Sequence, residues 1–294
     1  MNMYDYWQDN KKVGIFGIKY LDDKLGVILQ SDLILVGARS GAGKSTLAEM
    51  LAINNSHEGF PVKLFSLENY RGDSWATRVF NYYRAITKDY SLKQRIFACG
   101  EFAINTTALK AAQDKATKDF EGIDIQGRDS SYTIKRLCDD IVESSKTCRL
   151  IILDHLDYID KDESTDENTH ITDLMKAIRE VQEKYKVAVV AISHLRKSIG
   201  KQPPAVPSID EFIGSSNKVK QATVVVMVAP DDILNEKEHN DNKKYTYFCI
   251  RKCRMGGIDN KVGRLVFDKR INAYEDEYQE CIVNYAGDKV EIIN

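Results

Sequence analysis

The 294-residue sequence predicts an α/β domain with a mainly parallel central sheet flanked by helices. Three observations carry that prediction. Apolar runs of β-type residues recur at 33–36, 150–153 and 187–192, the pattern of strands buried on both faces. Helical spacing appears between such runs, as where Ile171, Leu174, Met175, Ile178 and Val181 recur on one face. The first run also passes directly into a Gly-rich turn and then a helical segment, 46–55, the strand–loop–helix order of a phosphate-binding loop. Strands that alternate with helices need crossover connections, and these favour parallel pairing.

The turn reads Gly37-Ala38-Arg39-Ser40-Gly41-Ala42-Gly43-Lys44-Ser45-Thr46, with Ala38 at the first glycine position of the P-loop pattern. Gly41 and Gly43 let the backbone turn tightly and aim N–H groups at an anion. The helix N-terminus behind them adds unpaired N–H groups and partial positive charge. Lys44 would reach the β- and γ-phosphates, and Ser45 would hold Mg²⁺.

The remaining elements follow in order. Residues 1–12 read as a short arm and 13–26 as a lead-in to the first strand. A second strand over 61–69 carries the carboxylate of Glu68 at its end. Helical patterns cover 72–87, 109–120 and 132–145, with a short strand at 123–125. Strand 150–153 ends in Asp154. An acidic loop, 160–168, precedes the amphipathic helix, and strand 187–193 ends in His194. Pro203, Pro204 and Pro207 mark 196–210 as a loop. Further strands are expected at 224–229, 245–251 and 263–268, with 231–244 as an exposed hairpin tip. This gives an arm (1–12), one α/β domain (13–274) and an extension (275–294) that reads as an added strand pair.

A net charge of −2 excludes a globally basic nucleic-acid binder, so any contact with DNA or RNA needs a local patch. The six cysteines show no C-x-x-C pairing, which points to reduced thiols rather than zinc. No apolar leader or transmembrane run is visible, so a cytoplasmic protein is expected.

In an open α/β sheet, ligands bind beyond the carboxyl ends of the strands. Glu68, Asp154 and His194 all stand at such ends, beside the P-loop. Asp154 fits a metal-supporting carboxylate, with Asp157 as the nearest alternative. Glu68 fits either a general base for an attacking water or an exposed strand-end carboxylate. His194 fits either a γ-phosphate sensor or a satisfied core histidine. Arg254, in Arg251-Lys252-Cys253-Arg254, fits either a surface charge or an arginine finger reaching a neighbour's nucleotide.

With these motifs in place, the chain resembles the helicase domain of the DnaB-type replicative helicases, a ring-forming branch of the RecA-like ATPases. The likeness is closer to the helicase half of the phage primase–helicases. It rests on Phe16-Gly17-Ile18 with Leu21-Asp22, the P-loop, Ser66-Leu67-Glu68, Asp154-His155, Ser193-His194-Leu195, Ile213-Gly214-Ser215-Ser216 with Gln221-Ala222, and Lys252-Cys253-Arg254. It covers roughly residues 13–274.

The resemblance implies a RecA-like core in which the P-loop and Asp154 strands flank the His194 strand. It implies ATP and Mg²⁺ as ligands, hydrolysis coupled to movement on single-stranded DNA, and a hexameric ring. It implies a primase or loader protein as accessory partner, and location in the cytoplasm, of a host cell if the protein is phage-encoded. Lys252 and Arg254 would complete the neighbouring site. Phe267 would stack on adenine or else belong to the core. DNA contacts would come from loops 196–202 and 214–220, through Arg196, Lys197, Lys201, Lys218 and Lys220, or else these lysines are solvated loop charges. Thr223 stands where many relatives have Asp. The alternative is a RecA-like assembly or loading ATPase that binds DNA without unwinding it; a small-molecule P-loop kinase lacks its Arg-rich lid here.

Overall fold

The computed structural model describes residues 2–39, 42–68, 72–128, 131–196, 205–212, 215–238, 240, 242–256, 261–270, 273–283 and 290–292. Helix α1 (Met3–Asp9), capped by the Asn2 side chain, precedes β1 (Lys12–Gly14), α2 (Lys19–Leu25) and β2 (Ile28–Leu29). β1 and β2 pair in a small sheet of their own. The region expected as an arm and lead-in is therefore built from regular elements.

β3 (Leu33–Ala38) opens the main sheet and α3 (Lys44–His57) follows the P-loop. Then come β4 (Val62–Ser66), α4 (Asp73–Thr87), α5 (Gln94–Cys99), α6 (Thr106–Asp119), β5 (Ile123–Gly127) and α7 (Ile134–Ser144). β6 (Leu150–Asp154), α8 (Glu167–Tyr185), β7 (Ala188–His194), α9 (Ser215–Gln221) and β8 (Val224–Pro230) continue the α/β alternation. α10 (Asp232–Glu238), β9 (Lys243–Cys253), β10 (Lys261–Asp268), β11 (Ala273–Val283) and β12 (Val290–Ile292) complete the chain.

The main sheet has the order β12-β11-β10-β9-β8-β3-β7-β6-β4-β5. From β8 to β5 all neighbours are parallel. From β8 outward to β12 they alternate antiparallel. The P-loop strand β3 and the Asp154 strand β6 flank β7, as the resemblance implied. β11 crosses the boundary drawn at 274, and with β12 it extends this same sheet. The 231–244 connection is not a bare hairpin tip: it carries α10, whose first turn is held by Leu234 N–H donating to Asp231 Oδ1 at 3.1 Å.

Residues of the central strands alternate between two cores. Leu33 and Leu35 face one, Ile34, Val36 and Ala38 the other; Ile151 and Leu153 oppose Leu150 and Ile152 in the same way. This period of two explains why the sequence shows unbroken apolar runs: helices cover both faces. Each such Val, Leu or Ile contributes about 1.5–3 kcal/mol by burial. At Gly37 the packing leaves no room for a side chain, since a Cβ would lie 2.5 Å from the Phe212 ring and 2.9 Å from Leu195. Among the described residues no helix is long and apolar enough to cross a membrane.

Candidate functional site

Four neighbouring parallel strands deliver their C-terminal ends to one edge of the sheet. β3 leads to the P-loop, β7 ends in His194, β6 in Asp154, and β4 runs on to Glu68. Parallel pairing makes this convergence unavoidable, because every strand points the same way.

Gly43 caps α3 in the left-handed region (φ 78°), a conformation open to glycine at little cost. Ser40 and Gly41 lie outside the described residues. Ala38 and Ala42 are buried, and Ala42 N–H donates to Arg39 C=O at 3.1 Å, which tightens the turn. The Arg39 guanidinium turns away from the loop to Glu211, with Nε and Nη2 at 3.2 and 3.1 Å from its carboxylate oxygens. Lys44 is buried, and its Nζ donates to Arg39 C=O at 3.3 Å. Burial pulls the Lys44 pKa down, against the pull of Glu68, Asp154 and Asp157. Thr46 is half-buried in the first turn of α3.

Asp154 is 1% exposed and hydrogen-bonds the Ser45 side chain, yet its Oδ1 has no hydrogen-bond partner among the described residues. Burial raises its pKa despite Ser45, His155 and Lys44. A buried, half-satisfied carboxylate beside a serine hydroxyl offers oxygen ligands to a hard divalent cation. The Asp154–His155 peptide is cis.

Glu68 is exposed, with Oε2 3.5 Å from His155 Nε2, and the Tyr158 hydroxyl hydrogen-bonds it. His155 Nε2 and His194 Nε2 are 2.8 Å apart. One of these atoms must carry the proton between them. His155 Nδ1 faces Asp157 Oδ2 at 3.2 Å, an ion-pair distance off the line of a good hydrogen bond. That carboxylate favours a proton on Nδ1, so in the neutral pair His155 Nε2 accepts and His194 donates. Glu68, His155 and His194 bring one potential ligand atom each to within 4.8 Å of one another. Two ring nitrogens suit Mg²⁺ poorly, whereas the Ser45 and Asp154 oxygens suit it well.

Asp157 is not the alternative metal carboxylate. It accepts from His194 N–H at 2.8 Å, and its other oxygen lies 3.2 Å from Lys218 Nζ. Burial would raise its pKa, but the His155 side chain, the Lys218 charge and the His194 amide outweigh it and hold the carboxyl well below its usual range.

The expected DNA contacts separate. Lys218 is 0% exposed, and its Nζ also donates to Ser193 Oγ at 2.7 Å. A DNA-contacting role for Lys218 is therefore corrected: its charge is spent inside, between Asp157 and Ser193. Arg196 and Lys220 are exposed; Lys197 and Lys201 lie outside the described residues. The Thr223 hydroxyl donates to Asp32 Oδ1 at 2.8 Å, which brings a carboxylate to this position.

Lys252 and Arg254 do not join the site. β9 is antiparallel to β8, so its end pairs Lys252 with Val225 and Cys253 with Val224 at the opposite edge. Lys252 Nζ donates to Val219 C=O at 2.5 Å and Arg254 Nη2 to Lys220 C=O at 2.7 Å, capping the C-terminus of α9. Phe267 stands near the end of β10, at the P-loop edge, half-buried and edge-on to Tyr274 at 5.2 Å.

A family model described as "DnaB-like helicase C terminal domain" matches residues 15–276. The chain is 22% identical over 276 residues to the "Probable plasmid replicative DNA helicase" of Chlamydia trachomatis, covering 88% of this chain and 53% of that protein. It is 24% identical over 287 residues to the "Replicative DNA helicase DnaB" of Geobacillus stearothermophilus, covering 91% and 57%. The chain thus spans about half the length of the curated relatives it matches. Its fold is similar to a solved structure described as an ATPase domain (TM-score 0.72, 17% identity, 92% of this chain and 94% of that one). It is also similar to a DnaB-like replicative helicase described with its interactions with primase (TM-score 0.75, 16% identity, 92% and 64%). Matched over most of its length by the family model, with the P-loop, His194 and Asp154 strands side by side, the chain belongs to the DnaB-like helicase C-terminal domain family.

Proposed function

We propose that this chain hydrolyses ATP and uses the energy to move along single-stranded DNA as a homo-oligomeric, hexameric ring, unwinding duplex DNA in replication. One observation carries the reading. Lys44, Glu68, Asp154 and His194 meet at one sheet edge, while Lys252 and Arg254 stand at the other, about five strand residues or roughly 17 Å away along β3. Reaching its own P-loop would require Arg254 to unpair β9, which supports a site completed by a second chain.

In this reading the backbone of residues 38–46 and the α3 N-terminus cradle the phosphates, and Lys44 adds a cation that burial has stripped of water. Ser45 and Asp154 hold Mg²⁺, which when bound neutralises charge on the phosphates. Glu68 takes the proton of the attacking water, held in place by the Tyr158 hydroxyl. His194 reads the γ-phosphate, and its donor is otherwise given to His155. Phe267 meets the adenine. Arg254, with Lys252 beside it, leaves its helix-capping carbonyls to neutralise the neighbour's transition state. Arg196, Lys197, Lys201 and Lys220 contact DNA phosphates. The relative described with primase supports a primase or loader as the accessory partner.

The test is ATP hydrolysis with and without single-stranded DNA, with particle mass and fork unwinding measured on the same samples. DNA-stimulated hydrolysis by a ring that opens forks is expected. Glu68→Gln should lower kcat by about 10²–10⁴-fold with ATP binding retained. Stimulated hydrolysis without strand separation would instead establish the DNA-loading alternative.

A further inference from the structure

The sheet edge opposite the P-loop holds an open hollow of about 710 Å³, walled by the starts of β1 and β6 and the ends of α7 and α8. Its lining includes Lys11, Lys12, Lys146, Arg149, Lys184 and Lys186 and, among the described residues, no carboxylate. All six cations are exposed. Part of this charge has a local use. The C-termini of α7 and α8 each present about half a negative charge, and cations favour such ends. Glu143 also pairs with Lys146 at 2.5 Å. With Lys186 left out of the count, these offset about two of the other five charges, so a surplus of about three remains in a chain whose net charge is −2.

We propose that this hollow is a second nucleic-acid site, which holds a single strand of DNA by its phosphates outside the nucleotide-binding edge. Two further features favour a strand over an acidic peptide. Tyr185 lines the hollow, half-exposed, with Lys184 Nζ 5.5 Å from its ring centroid. Gln8 of α1 also lines it, and Tyr4, one turn earlier on the same helix face, is 67% exposed. Cations that track a backbone beside aromatic platforms are the make-up of sequence-tolerant single-strand sites. The hollow's surplus charge gives electrostatic affinity without a sequence code. The choice of DNA rests on the function proposed above; the site itself is separate from both the P-loop and the loops carrying Arg196 and Lys220.

The full chain, with a non-hydrolysable ATP analogue, is titrated with labelled oligothymidine at several salt concentrations. Lys146→Glu with Lys184→Glu is compared with Lys110→Glu with Lys118→Glu, which makes the same charge change on the exposed side of α6. The hollow variant should lose at least about tenfold in affinity at low salt, and its log–log salt slope should fall by about 1.4, at about 0.7 per phosphate contact. Its DNA-free ATPase rate should equal that of wild type and of the control. Equal slopes in the two variants, with wild type binding DNA, would overturn the inference and leave the helicase reading standing. A loss confined to poly-glutamate binding would assign the hollow to an acidic protein, and a drop in particle mass would assign it to a contact between copies; either result overturns the DNA site. If wild type binds no oligothymidine at all, the helicase reading fails with it.

Discussion

Burial strips water from the His194 ring, and positive charge on His155 and Lys44 repels a proton from it. These effects outweigh Asp157 and Glu68 and hold the His194 pKa below the ordinary imidazole value. The sign follows from linkage. A depressed folded-state pKa means that the folded chain resists the proton, so what the neutral ring contributes is intact above the ordinary value and is lost as pH falls through the lowered one. At neutral pH His194 therefore presents one N–H and one lone pair, and its single N–H can be given either to His155 or to a phosphate oxygen, not to both at once. Protonation would put a second N–H on the ring and remove the lone pair. His194→Gln, which keeps a donor and an acceptor but cannot titrate, should retain hydrolysis and shift the acidic limb of the kcat–pH profile to lower pH. An acidic limb unchanged from wild type would mean that a group other than His194 sets it.

α9 is seven residues long and touches both edges of the sheet's chemistry. Lys218 reaches from it to Asp157 and Ser193 beside His194, while its last carbonyls hold Lys252 and Arg254. The helix thus links His194, the proposed phosphate sensor, to Lys252 and Arg254, the cations proposed to serve a neighbouring chain. Lys218→Met should lower stability by about 3 kcal/mol in denaturant titrations, because it takes from the part-buried Asp157 its lysine partner and leaves it only the His194 amide and the His155 ring. It should leave the salt slope of DNA binding unchanged, whereas Lys220→Ala should reduce that slope by about 0.7. A reduced slope in Lys218→Met would restore Lys218 to the DNA surface. The contrast between these two lysines marks the limit of what the sequence made legible. β3, β6 and β7 stood out because burial on both faces leaves no polar residue to break the run, and their parallel direction then placed Lys44, Asp154, His194 and Glu68 together. The Lys218–Asp157 pair spans 61 positions and depends on how α9 lies across the sheet, which no local pattern encodes. α10 was hidden for a similar reason. Its Ile233 is 80% exposed, so it has no apolar stripe, and the helix is held instead by Asp231 and by Asn235, whose amide donates to Tyr245 C=O at 3.0 Å.

At the scale of the whole molecule, the proposed two-chain site turns on the direction of one strand. β9 returns antiparallel to β8, so the Arg254 end of the chain and its P-loop end face opposite ways. Copies related by rotation can satisfy both ends at once, because each places its Arg254 edge against the next chain's nucleotide edge. Such a head-to-tail contact closes into a ring when the rotation closes. Two defective chains can then repair each other. Lys44→Ala removes the phosphate grip from a chain's own site but leaves its Arg254 intact; Arg254→Ala does the reverse. Each alone should lose about 10³-fold or more in kcat, the scale of an arginine finger. In an equal mixture, about a quarter of the interfaces pair an intact P-loop with an intact Arg254, and hydrolysis should recover to about that fraction of wild type if sites work independently. Activity should also rise more steeply than linearly with chain concentration until rings form, in step with particle mass. A mixture no more active than its parents, at a mass showing that mixed rings have formed, would place both residues in one chain's site and remove the need for a neighbour.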